Sequence, residues 1–282
     1  MLHVDADRLW SDLMTLGTIG ALPRGGNDRM ALTDADRDGR ALFAHWCAEA
    51  GLTVTVDGIG NMFARREGSD PSLPPVLAGS HLDTQSPGGK FDGPLGVLAA
   101  LAAMRALDAA GVTTRRAIEV VNWTNEEGCR FFPGLMGSAV FAGALSPETA
   151  FAATDRAGRT VAAELARIRA DGPTPIGGRS VDAYFELHIE QGPLLEDAGV
   201  TIGAVTHSHY SIMADVECRG DNAHIQSMPM LRRRNALVGA AKLIAETDRI
   251  GRAHAPAGSA SAVVIDRSEE HTSELQSRLH LV

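Results

Sequence analysis

The apolar run Val76-Leu77-Ala78 passes through GSHLDTQSPGGKFDGPLG, residues 79–96, straight into an alanine- and leucine-rich stretch that continues to Ala109. A short apolar run reads as a buried strand. A long one opened by Pro94 and closed by Gly111 reads as a helix. A buried strand feeding a buried helix through a polar loop is the repeating unit of α/β folds. The loop holds His81, Asp83 and Asp92, side chains able to ligate a metal. Loops at the carboxyl ends of strands are where α/β proteins build their sites. His81 and Asp83 are two apart, so in an extended segment both leave the same face. One can then ligate while the other hydrogen-bonds the ligating ring. The plainer reading is a strand-to-helix turn rich in Gly and Pro, and the loop alone leaves both open.

The rest of the chain repeats the alternation. Leu9, Trp10, Leu13 and Leu16 fall at helical spacing, and Thr33 stands as N-cap of a second helix that ends at Gly51. Thr53 to Asp57 and Met62 to Arg65 read as strands joined across Gly58-Ile59-Gly60. Ala117 to Trp123 is another buried strand, followed by a helical region from 138 to 170 broken by Pro147 and Gly158. Ala183 to Ile189 reads as a strand, with a short helix and a strand at Ile202 to Val205 behind it. The expected fold is α/β, a mainly parallel sheet covered by helices. From Tyr210 to Arg219 apolar and polar residues alternate with the period of a half-exposed strand, and a long helix is expected from Leu231 to Thr247. A strand begins at Ser261. Residues 1–206 are therefore assigned to a site-bearing domain and 207–266 to the first part of an α+β module.

Composition narrows the function. A net charge of -9 argues against a nucleic-acid partner, since the one dense basic run, Arg232-Arg233-Arg234, is short and flanked by apolar residues. Cys47, Cys129 and Cys218 are scattered, which suggests neither a disulfide framework nor a cysteine zinc site. No stretch approaches a membrane span, and Asp5 and Asp7 stand where a signal peptide would be positive, so a cytoplasmic location is expected.

Two further strand ends bear metal-binding side chains. The strand ending at Trp123 runs into Thr124-Asn125-Glu126-Glu127-Gly128; adjacent side chains diverge, so one carboxylate can bind a metal while the other faces a water. Alternation on the strand beginning at Ala183 puts Glu186, His188 and Glu190 on one face, with Gln191 just beyond. Each has a plainer reading: a glutamate pair at a strand end is usually solvated, and a lone strand histidine is usually a hydrogen-bonded core residue. Joint placement favours a metal, because parallel strands bring their carboxyl ends to one edge. His, Asp and Glu suit zinc, manganese or cobalt, and a bridging carboxylate suits two ions. His224 lies in a polar turn before the last long helix.

The stretches GSHLDT (79–84), GKFDG (89–93), NEEGCRF (125–131) and ELHIEQGP (186–193) resemble the hydantoinase/carbamoylase branch of the dinuclear aminoacylase-type metallopeptidases. That branch includes N-carbamoyl-L-amino acid hydrolases, allantoate amidohydrolases and β-ureidopropionases. The resemblance runs in order from the first helix to about residue 265, and ELHIEQGP is what separates this branch from the peptidases. It implies that Asp92 bridges two divalent ions, zinc or manganese with cobalt or nickel as alternatives. His81 and His188 would complete one ion; Glu127 and a C-terminal His would complete the other. Asp83 would orient His81, and Glu126 would be the general base. His224 would help hold the developing oxyanion, reaching across a homodimer from an inserted lid domain. Gln191 would contact substrate. The implied reaction removes an N-carbamoyl group from an amino-acid-like acid and releases ammonia and carbon dioxide.

Two departures qualify the resemblance. The family's Ala-Gly-Thr-Thr-Pro-Met after the lid histidine is here Ile225-Gln226-Ser227-Met228-Pro229-Met230, which puts the pocket and the exact ureido substrate in question. Arg267 to Ser277 resembles translated sequencing-adapter DNA, so 267–282 is set aside as a foreign tail, and neither His271 nor His280 is expected to serve as a ligand. The second metal site is then expected to be incomplete in this chain. Competing readings are an allantoate hydrolase, a deacylase or dipeptidase on the same fold, and a non-catalytic fragment or binding module. A serine amidase has little support, because no GxSxG occurs.

Overall fold

The structure is a computed structural model, and it describes residues 2–207, 214–255, 260, 262–267 and 276–281. Contacts divide the chain into one unit at 1–194 and another at 195–282.

The first unit opens with helix α1 (Ala6–Leu16), whose N-cap Asp5 accepts the Arg8 N–H at 2.9 Å. Helix α2 (Asp34–Glu49) starts at Thr33, whose hydroxyl accepts the Asp36 N–H as the sequence predicts. Strands β1 (Thr53–Val56) and β2 (Met62–Arg66) form an antiparallel hairpin. Strand β3 (Val76–His81) leads into helix α3 (Pro94–Ala109), and β4 (Ile118–Trp123) follows. Three shorter helices come next, α4 (Met136–Phe141), α5 (Pro147–Ala152) and α6 (Val161–Ile168), before strand β5 (Ala183–Phe185).

The five strands lie in the order β1-β2-β4-β3-β5. β3 pairs in parallel with both β4 and β5, while β2 is antiparallel to β1 and β4, so only β2 runs against the rest. Strand alternation splits the core between the two faces. Met62, Ala64 and Val120 pack with Leu13, Leu16, Phe43, Trp46, Val97, Leu98 and Leu101 from α1, α2 and α3. Phe63, Leu77, Val121 and Trp123 face the other way, against Phe141 and Val181. A separate cluster of Leu32, Ile59, Phe131, Met136, Val161, Leu165 and Ile168 holds α4 to α6 in place. Each fully buried Leu or Val side chain contributes about 1.5–3 kcal/mol of transfer free energy. The packing of α3 on β3 is close: a Cβ at Gly96 would stand 2.7 Å from Ser80 Cβ and 2.6 Å from the Leu187 carbonyl oxygen.

The strand expected through Ile189 stops at Phe185, because β5 pairs only with Val76–Ala78. Beyond that point the Glu186 side chain turns to Ser80 and Tyr184, and the Leu187 carbonyl approaches α3.

The second unit begins at Leu195, within the short helix α7 (Leu194–Asp197). No strand forms at Ile202–Val205, where Ile202 is 70% and Val205 90% exposed and no ladder partner is present among the described residues. Strands β6 (Ala214–Arg219), β7 (Ala262–Arg267) and β8 (Gln276–Leu281) form an antiparallel sheet in the order β6-β8-β7, with helix α8 (Ala236–His254) against it. The Tyr210–Met213 part of the predicted strand is outside the described residues, as is His271. The predicted start of α8 at Leu231 is instead a 3₁₀ turn, Met230–Arg232, and the helix begins after its N-cap Asn235. The backbone of 276–281, set aside as foreign on sequence, occupies the middle of this sheet.

Candidate metal centre

Parallel pairing of β4, β3 and β5 brings their carboxyl ends to one edge, and the loops there hold the site. His81, the last residue of β3, is 1% exposed. Asp92 lies in the loop before α3, and His188 lies three residues beyond β5. Donor atoms of His81, Asp92 and His188 all fall within 4.8 Å of one another. His188 Nε2 is 3.1 Å from Asp92 Oδ1, and Gln191 Nε2 donates to Asp92 Oδ2 at 2.5 Å. Gln191 reaches that position from a backbone with φ of 59°.

The ring of His81 is fixed from two sides. Its Nδ1 is 2.8 Å from the main-chain oxygen of Asp83, which leaves Nε2 facing the cluster. The ring also lies over Gly93, the N-cap of α3: a Cβ there would meet the ring atoms at 2.4–2.5 Å, and the φ of 81° suits glycine alone. The Asp83 carboxylate, 3.7 Å from His81 Nδ1, does something the sequence did not reveal. Its oxygens accept the main-chain N–H groups of Glu126 and Glu127, at 3.2 Å each.

Glu126 and Glu127 follow Asn125, which has a φ of 52°. Asparagine tolerates that conformation, and its Nδ2 ties the turn down by donating to the Phe131 and Pro133 carbonyls. The turn aims the two glutamates apart. Glu126 Oε2 lies 3.3 Å from His81 Nε2, and Glu127 Oε2 accepts from Gln85 Nε2 at 2.9 Å. Glu127 stands outside the tight group of three.

Charge is crowded here. Burial pushes the Asp83 carboxyl above its ordinary range, opposed by the His81 ring. Glu126 is raised by burial first, with Asp83 and Glu127 adding to the effect. Burial alone would lower the His81 ring, but the Asp83 and Glu126 carboxylates outweigh it and raise it. A cation among these groups reverses the sense, favouring ionised carboxylates and neutral rings. Whether the residues fit a metal is answered by unsatisfied atoms. Among the described residues Glu127 Oε1 is buried and accepts no hydrogen bond, and buried Asp92 Oδ1 has only the His188 Nε2 beside it, which is costly for carboxylates without a cation. The donor set, two imidazoles and carboxylates, is one that zinc, manganese and cobalt accept.

A residue read only as part of a strand face also proves structural to the site. Glu186 Oε1 accepts from Ser80 Oγ at 2.5 Å, and Oε2 accepts from Tyr184 Oη at 2.6 Å. Tyr184 Oη in turn accepts from Trp123 Nε1 at 3.0 Å. Glu186 thus joins the tips of β3, β4 and β5 directly behind the ligand-bearing residues. Spacing alone placed it beside His188 but named no partner for it.

His224 belongs to the second unit. Its Nδ1 accepts the N–H groups of Gln226 and Ser227 at 3.2 Å, so the proton of the neutral ring sits on Nε2.

The sequence pattern of Peptidase family M20/M25/M40 matches residues 77–276. An N-carbamoyl-L-amino-acid amidohydrolase of Rhizobium meliloti is 49% identical over 242 residues, which is 86% of this chain and 58% of that protein. An N-carbamoyl-L-amino acid amidohydrolase of Geobacillus stearothermophilus is 41% identical over 245 residues, 86% of this chain and 60% of that protein. The chain thus spans about three-fifths of the length of the curated relatives it matches. Among solved structures, a hydantoinase/carbamoylase family amidase from Burkholderia ambifaria superposes with a TM-score of 0.80 at 46% identity, covering 100% of this chain and 70% of that one.

Proposed function

The chain belongs to peptidase family M20/M25/M40 and, within it, to the hydantoinase/carbamoylase amidases; from that premise we propose that the protein is a metal-dependent amidohydrolase acting on linear, non-peptide C–N bonds. Its substrate would be an N-carbamoyl amino acid or related ureido acid, cleaved to the free amine, ammonia and carbon dioxide. The observation that supports this best is the convergence of His81, Asp92 and His188 beside Glu126, with Glu127 Oε1 buried and without a hydrogen-bond partner among the described residues.

His81 and His188 would hold one divalent ion, zinc or manganese, Asp92 would bridge it to a second, and Glu127 would face that second ion. The ions supply Lewis acidity toward the scissile carbonyl and toward water. The remaining chemistry falls to side chains. Glu126 takes a proton from the attacking water and delivers it to the leaving nitrogen, a role suited to a carboxyl that burial has raised. Asp83 holds the Glu126–Glu127 turn in place through the two main-chain hydrogen bonds. Gln191 stands within reach of Asp92 and would meet the substrate on that side. His224, donating from Nε2, would hold negative charge on the carbonyl oxygen, contributed across a homodimer.

The test is ammonia release from N-carbamoyl amino acids by the purified protein with added zinc or manganese, against N-acetyl amino acids and dipeptides. Turnover of the ureido acids alone, lost in Glu126→Gln while metal content is unchanged, is the expected result. Undiminished turnover in Glu126→Gln, or a preference for dipeptides, would overturn the reading.

A further inference from the structure

Arg29 lies in none of the stretches that resemble the family, yet it is fully buried beneath the β3 loop, at 0% exposure. Its guanidinium donates three hydrogen bonds, all to main-chain oxygens. Nε reaches the Leu82 carbonyl at 2.8 Å, and Nη1 reaches the carbonyls of Leu16 and Ile19 at 3.1 and 2.8 Å. The main chain of Arg29 grips the same loop one residue further on. Arg29 N donates to Thr84 Oγ1 at 2.9 Å, and Thr84 N donates to the Arg29 carbonyl at 3.0 Å. Asp83 is therefore held on both sides, by Leu82 and by Thr84, against the end of α1. Space for the guanidinium stem comes from Gly39 on α2, where a Cβ would stand 3.0 Å from Arg29 Cδ.

A guanidinium wholly removed from water is costly unless its surroundings are built for it. Here Nε and Nη1 are met by the Leu82 carbonyl on one side and the Leu16 and Ile19 carbonyls on the other, while Nη2 is buried without a hydrogen-bond partner among the described residues, so the guanidinium is kept at a cost. The geometry matters because Asp83 passes the placement on. Its main-chain oxygen sets the His81 ring, and its carboxylate sets the N–H groups of Glu126 and Glu127. A shift of the Leu82–Thr84 segment therefore moves two strand tips at once.

We propose that Arg29 is a positioning residue of the metal centre, fixing the Leu82–Thr84 turn and, through Asp83, the orientation of His81 and the Glu126–Glu127 turn. The consequence for metal affinity rests on the reading of His81 as a ligand; the placement of the loop does not.

Amide hydrogen exchange on the full chain, compared across wild type, Arg29→Lys and Arg29→Met, tests the placement directly. In Arg29→Met the amides of Thr84, Glu126 and Glu127 should exchange at least tenfold faster, while Ala64 and Val120 in the β2–β4 ladder keep wild-type protection. Arg29→Lys, which keeps the charge but cannot span both sides, should fall between. Zinc affinity measured by calorimetry should decline in the same order. If Arg29→Met does not fold, the comparison of Arg29→Lys with wild type decides the matter on the same amides. Acceleration of all amides together would reduce Arg29 to general stability and overturn the proposal, as would unchanged exchange at Thr84, Glu126 and Glu127. Local acceleration in a chain whose wild type binds no zinc would leave Arg29 in place and sink the metal reading instead.

Discussion

The Asp83 carboxylate accepts the main-chain N–H of Glu126 at 3.2 Å, so the loop after β3 and the turn after β4 share one anchor. The neighbouring Glu127 N–H is held by the other oxygen. Asp83→Ala strands two half-buried amides and frees both glutamates. Zinc affinity should fall 10–100-fold, the range typical when a residue supporting metal ligands is lost. Asp83→Asn, which retains one acceptor oxygen, should lose less. Calorimetric titration of the three proteins checks the order; an Asp83→Ala variant binding like wild type would remove Asp83 from the centre.

Gly93→Ala puts a methyl group 2.4–2.5 Å from the His81 ring and forces a side chain onto a φ of 81°. The backbone term alone is about 1–3 kcal/mol. A melting temperature several degrees lower, together with weaker zinc binding, is the expected pair of results. Loss of stability with unchanged metal affinity would show that the ring finds another route to the same position.

Metal should stabilise the fold. A ligand present at a hundred times its Kd adds about 2.7 kcal/mol. Zinc or manganese should therefore raise the melting temperature, a chelator should reverse the rise, and His81→Ala or His188→Ala should each abolish it. His224→Ala should keep it, since that side chain is proposed to meet substrate and not metal. Thermal scans with and without metal separate these cases.

Asp57 gives a pH dependence independent of the metal centre. Its carboxylate is 0% exposed and accepts from Ile59 N, Asn61 N and Asn61 Nδ2. Burial outweighs those bonds and pushes its carboxyl up to about 6. The folded protein thus binds this proton more tightly than the unfolded chain, whose aspartates titrate near 4. The resulting stability is full below about pH 4 and lost as pH rises through about 6, a change on the order of 2 kcal/mol. Urea unfolding from pH 4 to 7 should show wild type losing this amount relative to Asp57→Asn. A constant difference between the two would contradict the assignment.

The sequence made some elements plain because their determinants are local. Pro94 and Gly111 bracket α3 where the structure has it, and Thr33 caps α2 as expected. The gathering of His81, Glu126 and His188 was equally legible, since parallel β4, β3 and β5 bring their carboxyl ends to one edge. What escaped depends on partners far along the chain. β5 is short because the chain leaves the β3 edge after Phe185, with Glu186 turned to Ser80 and Tyr184 and the Leu187 carbonyl against α3, which no pattern in residues 183–189 reveals. Ile202–Val205 has strand-like residues but no ladder to join among the described residues. Glu186 reads as one face of a strand until Ser80 and Tyr184 are beside it. Arg29 belongs to none of the motifs, and its place shows only in the carbonyls of Leu16, Ile19 and Leu82 that accept from it.

The pairing of Val76–Ala78 with Ala183–Phe185 joins segments about a hundred positions apart. Closing so long a loop precedes any reward from the contacts it allows, which makes such pairings slow steps in folding. His188 is delivered by that pairing, whereas His81 and Asp92 are brought close by a single strand–loop–helix unit. Two of the three converging side chains can thus assemble early, and the third arrives only when the sheet's last parallel ladder closes. Capture of a cation by the full set would then mark the end of assembly, reporting the moment at which β5 docks.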